Sequence, residues 1–134
     1  MALVLVNQGE DIALKALLAH TAGQDQRLKL YQNNVTPAET DTEAGYTEAT
    51  FTGYSDVAMA GASWGFTPGA PSEAAFAQQT FTSSADQTSQ SIYGYFVTQQ
   101  TSGLLVWAER FPAGPYAIAN NGDNIKVTPK ITQD

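Results

Sequence analysis

The sequence predicts a mainly β protein: a jelly-roll-like β-sandwich or barrel with one short N-terminal helix. Three observations lead there. About eight short apolar-alternating stretches are separated by Gly, Pro and Asn turn signals at the spacing of a sandwich or barrel, and a jelly roll is one form such chains take. Charged residues are only 14 % of the 134, with 10 % aromatics, against about 25 % charged in an average domain. Helical periodicity occurs once, near the N-terminus.

The chain is expected to form one domain over 1–134, with an arm and helix over 1–23, a β core over 27–128 and a tail over 129–134. Leu3 to Val6 reads as a short strand or an apolar arm. MALVLV has no basic residue before it and is shorter than the roughly 7–15 apolar residues of a signal-peptide core. Neither a signal peptide nor a transmembrane span is expected. Asn7 to His20 reads as the helix. Asn7 caps it and Glu10 completes a capping box, Leu14, Leu17 and Leu18 form its apolar stripe, and Gly23 stops it.

Beyond Arg27 the pattern is one of strands. Arg27 to Asn33 places Leu28 and Leu30 inward. Pro37 to Gly45 is an acidic loop. Tyr46 to Tyr54 reads as a strand with Phe51 inward. Val57 to Ala60 and Trp64 to Phe66 are short strands interrupted by glycines. Ala74 to Thr82 reads as one strand around Phe76 and Phe81.

Ser91 to Phe111 is the centre of the predicted core. It reads as a hairpin turning over Gln99 to Gly103, with Gly103 free to adopt a left-handed conformation. Counting by twos, Leu105, Trp107 and Phe111 point one way and Leu104, Val106 and Ala108 the other. A sheet wet on one face alternates apolar with polar. This hairpin does not, so both of its faces should be covered. Pro112, Gly114 and Pro115 end it. Tyr116 to Ala119 and Asn124 to Thr128 follow, joined by Asn120, Asn121 and Gly122 as a tight hairpin turn. Pro129 cannot donate to a ladder, so the last strand lies at an edge or leaves the sheet there.

Composition narrows the function. The net charge is −7, with 6 basic residues against 13 acidic, so neither nucleic acid nor an anionic membrane is an expected partner. The chain has no cysteine and one histidine, which leaves no thiolate chemistry and no transition-metal set. Gly61 to Gly65 matches G-x-S-x-G around Ser63. That motif needs a following helix and a downstream histidine, whereas the next residues are Pro- and Gly-rich and His20 lies upstream. Glu39, Asp41 and Glu43 alternate without the calcium-loop pattern and read as a solvated acidic loop, as Asn121-Gly122-Asp123 reads as a turn. His20 sits where a cation complements the helix dipole. Glu48, Glu73 and Glu109 are conceivable glycosidase carboxylates, but their separation is not fixed by sequence. Glu109 interrupts the face holding Trp107 and Phe111, so a partner is expected across the sheet or across a subunit boundary. Strand tyrosines and tryptophans also allow sugar stacking, as in lectins on this architecture. No catalytic, cofactor-binding or metal-binding residue is assigned, and no enzyme is expected.

Several segments in order, GEDIALKALLAH, LKLYQNNVTP, YTEATFTGYS, SIYGYFVT, LLVWAERF and GDNIKVTPKIT, resemble small virion structural proteins of tailed bacteriophages. The resemblance runs from about Gly9 to Thr132. It implies a non-enzymatic virion protein, made in the host cytoplasm and sited on the outer head surface. There it acts as a capsid cement or decoration protein bound to the major capsid protein, and as a homotrimer. A trimer would cover the second face of the hairpin, and both chain ends are candidate arms to a neighbour. The alternative is a tail or baseplate receptor-binding protein that recognises carbohydrate.

Overall fold

A computed structural model describes residues 3–9, 25–67 and 72–133. The protein is mainly β, and every strand pair is antiparallel. Its main sheet has the order β1-β9-β8-β2-β3, formed by β1 (Leu3–Leu5), β2 (Gln26–Tyr31), β3 (Val57–Met59), β8 (Gly94–Gln99) and β9 (Leu105–Arg110). Three smaller sheets surround it: β4 (Gly65–Thr67) and β12 (Lys130–Gln133) flanking β5 (Ser72–Ala75), β6 (Gln79–Thr82) with β11 (Asn124–Val127), and β7 (Gln90–Ile92) with β10 (Tyr116–Ile118). This arrangement is consistent with the expected jelly roll. Residues 7–9 are helical, and the rest of the expected helix, including His20, lies outside the described residues.

The expected hairpin is β8 and β9. Gly103 closes its turn with φ 73°, and its N–H bonds the Gln99 carbonyl. The ladder contains a bulge: Trp107 pairs with Val97 and Leu105 with Thr98, so Val106 is the extra residue. A bulge sets two residues against one and resets the alternation. Val106 therefore joins Trp107 and Phe111, while Leu105 joins Ala108. This corrects the facing read by counting.

Both faces are covered within one chain. One face buries Tyr95, Val97, Val106 and Trp107 against Phe81, Ile92, Ile118, Ile125 and Val127 of the smaller sheets. The other buries Phe96, Leu105 and Ala108 under Val6, Tyr31 and Tyr46. No second subunit is needed to cover the hairpin. The two candidate arms are also docked on their own chain: Leu3–Leu5 pairs with β9 and Lys130–Gln133 with β5. Pro129 marks the change of partner, its carbonyl accepting from Phe76 N–H at 2.9 Å as the chain leaves β6 for β5.

Three further expectations are corrected. Tyr46 to Tyr54 is not a strand. It makes one isolated bridge, Tyr31 to Glu48, and glutamine side chains serve much of its backbone. Gln90 Oε1 accepts from Thr50 N–H at 2.9 Å, Gln87 Oε1 from Thr52 N–H at 2.7 Å, and Gln32 Nε2 donates to the Glu48 carbonyl at 2.8 Å. A turn over Asn120 to Asp123 is present, with Asp123 N–H on the Asn120 carbonyl, yet it joins β10 to β11, which belong to different sheets. It is a crossing between sheets, not a hairpin. The stretch read as one strand over Ala74 to Thr82 is two, β5 and β6, because the chain changes sheets after Ala75.

Candidate functional site

A cleft of about 560 Å³ opens beside the main sheet, bounded by Tyr95 and Glu109 on one side and by residues of β10 and β11 on the other. Its position follows from the topology. Among the described residues β10 pairs only with β7 and β11 only with β6, so the cleft is bordered by two strands from different small sheets. Its volume lies in the range of about 300–1,000 Å³ typical of ligand sites.

Glu109 is the polar centre. Its residue is 8 % exposed, and it stands directly opposite Tyr95 in the β8–β9 ladder. The Tyr95 hydroxyl donates a short hydrogen bond to Glu109 Oε2. This is the partner across the sheet that the sequence called for. A buried carboxyl is costly unless hydrogen-bonded, and with so few cations in the chain a phenol takes that role. Burial, and then the Glu109 bond, holds the Tyr95 hydroxyl well above its ordinary value, so it remains a donor. Trp107 Nε1 acts on the same hydroxyl in the opposite sense, at a geometry short of a hydrogen bond, and is buried without a hydrogen-bond partner among the described residues. Arg110 turns away to bond the Val35 carbonyl at 2.9 Å and lies over the Tyr93 ring at 5.1 Å.

Aromatic rings line the mouth. Phe111 lies 6.4 Å from the Tyr95 ring and 5.4 Å from the Tyr116 ring. Tyr116 is 42 % exposed, and among the described residues only it and Leu104 are large hydrophobics on the surface. Asn124, Lys126 and Thr128 add polar groups. Asp123 also borders the cleft, but its Oδ2 accepts from the N–H groups of Ala119 and Asn120 at 3.0 and 2.9 Å. Those bonds hold its carboxyl below the usual range.

The other residues weighed from sequence are dispersed. Ser63 ends a 3-10 turn (Gly61–Ser63) that runs into β4, so the helix a nucleophile elbow requires is absent there. Asp41 Oδ2 accepts from the Tyr46 hydroxyl at 2.6 Å and Ala38 N–H at 3.0 Å, and no cluster of metal-ligating side chains occurs among the described residues. Glu48 Oε2 accepts from the Tyr54 hydroxyl at 2.7 Å. Glu73 pairs with Lys130 at 2.9 Å. Sequence reading singled out Glu109 but missed Tyr116 and Lys126 beside it in the cleft, because β10 and β11 belong to different sheets from β9 and no local pattern shows how those sheets meet. Among the described residues no helix is long and apolar enough to cross a membrane. No protein-family model, curated protein or solved structure matches the chain.

Proposed function

We propose that this chain is a non-enzymatic structural protein of a tailed-phage virion, a cement or decoration protein that binds the major capsid protein on the outside of the head. The supporting observation is where the phage-like segments fall. LKLYQNNVTP, SIYGYFVT, LLVWAERF and GDNIKVTPKIT supply β2, β7, β8, β9, β11 and β12, so the resemblance coincides with the segments that build the core. A decoration protein stabilises a shell by adding interface that spans several subunits, so that dissociation requires breaking contacts together. With both hairpin faces and both chain ends covered internally, this role does not require a trimer.

The test is to purify the particle of the phage that encodes the chain and locate the protein by mass spectrometry and immunogold labelling. Labelled heads, together with uptake of the purified protein by undecorated shells and a higher shell disruption temperature, are expected. Virions that lack the chain would refute the reading. Label confined to the tail would transfer it to the second reading, a receptor-binding protein, which the cleft with its exposed Tyr116 favours.

A further inference from the structure

We propose that the Glu109 cleft is a binding site for a neutral carbohydrate, with Glu109 accepting sugar hydroxyls and Tyr116 stacking on a sugar face. This deepens the receptor-binding reading. It does not depend on it, since a head protein could carry the same site.

The chemistry of the walls selects the ligand. An ionised carboxyl only accepts hydrogen bonds and has about four lone-pair sites. At Glu109, Oε2 takes the Tyr95 hydroxyl, which leaves acceptor capacity beside the cleft. A ligand entering here must bring donors, because a carboxyl stripped of water and left unpaired is strongly penalised. Hydrogen bonds to a charged group are roughly twice as strong as neutral ones. An arginine or lysine side chain would also bring donors, but Lys126 borders the same cleft and opposes a second cation. Lys126 donates, Thr128 and Asn124 donate or accept, and Glu109 accepts. Sugar hydroxyls donate and accept at once, so a polyol can satisfy such a mixed lining where a cation or an anion cannot.

The aromatic wall supplies the rest. Tyr116 leans on Phe111 at 5.4 Å and still shows 42 % of its surface. A ring held by a neighbour and open on one side gives a rigid platform for an apolar C–H face, with few rotamers to freeze.

The test is titration of the ¹⁵N-labelled protein, followed by amide shifts, with a panel of free sugars: glucose, galactose, N-acetylglucosamine, rhamnose, maltose and lactose. N-acetyl-arginine amide serves as the cationic comparison. At least one sugar is expected to shift the amides of Glu109, Tyr116 and Lys126 saturably. Glu109→Gln keeps an acceptor for Tyr95 but loses the charge, and should weaken binding about tenfold. Tyr116→Ala removes a half-exposed ring that packs on the outer side of Phe111 and should weaken it by a similar factor. No shift with any sugar, shifts with the arginine amide alone, or sugar binding indifferent to both variants would each overturn the proposal. None of these outcomes bears on whether the chain is found on virion heads.

Discussion

Alkaline unfolding measures how this chain protects its buried phenols. The hydroxyls of Tyr31, Tyr46, Tyr54 and Tyr95 are all raised above the ordinary 10.0, with burial as the leading cause in each. In Tyr46, Tyr54 and Tyr95 the next cause is the bond to Asp41, Glu48 or Glu109. Tyr31, which donates to the Val35 carbonyl at 3.2 Å, is pushed up to about 12. A raised folded value means that the unfolded chain loses the proton first. Stability is then independent of these groups below pH 10 and falls as pH rises above it. One pH unit past the unfolded value removes about 1.4 kcal/mol per phenol. Four phenols at about pH 11 remove roughly 5–6 kcal/mol, close to the whole stability of a small domain at about 5–15 kcal/mol. Urea midpoints followed by tryptophan fluorescence should therefore be flat up to about pH 10 and collapse within the next unit or two. Absorbance at the phenolate band should show these four groups ionising together with unfolding. Tyr54→Phe should lower the slope by one proton. Ionisation of the four phenols in a protein with native fluorescence would refute the reasoning.

Three further outcomes follow from the packing and the ion pairs. Trp107→Ala removes a fully buried ring opposite Val97 and 6.0 Å from Trp64, and should cost about 3–5 kcal/mol in urea unfolding. Gly94→Ala puts a Cβ 2.2 Å from the Glu109 carbonyl oxygen and 2.6 Å from the Tyr31 ring, and should cost about 1–3 kcal/mol or more by the same assay. Arg27 grips Asp56 with bonds of 2.7 and 2.8 Å and holds its carboxyl below the ordinary 3.8. The stability from this pair is present above that value and is lost as pH falls through the lower folded one. Arg27→Met should flatten that acid limb, with about 1 kcal/mol lost at neutral pH because the pair is only partly exposed.

Much of the main sheet was readable from local pattern. Leu28 and Leu30 in β2 alternate and are buried, as Ile125 and Val127 do in β11 of a smaller sheet, and the β8–β9 hairpin needed only its apolar strands and Gly103. Local pattern failed where the backbone finds an unusual partner. Tyr46 to Tyr54 alternates like a strand, but the N–H groups of Thr50 and Thr52 are met by the side chains of Gln90 and Gln87, distant in the chain, and no periodicity encodes that. The bulge at Val106 is equally silent, since counting by twos assumes an unbroken ladder. The phage resemblance implies a trimer, and a hairpin apolar on both faces offers a surface for it to cover. That surface is covered within the chain, by Val6 and by Tyr46 from the loops after β2, with Tyr31 at the end of β2 beside them. Glu109 was visible as an acid among aromatics, yet its cleft depends on two sheets meeting around it.

The three tyrosine–carboxyl pairs link composition to site. With 13 acidic residues and 6 basic, carboxyls drawn into the fold outnumber the cations able to meet them. Asp41, Glu48 and Glu109 each take a phenol instead, from Tyr46, Tyr54 and Tyr95. A phenol neutralises no charge. It satisfies one oxygen and leaves the rest of the carboxyl's demand in place. At Asp41 the Ala38 N–H adds a second bond on the same oxygen, Oδ2. Glu109 borders a cleft, where a ligand's hydroxyls can meet it. The scarcity of basic residues thus leaves Glu109 to the Tyr95 phenol, with acceptor capacity remaining beside the cleft.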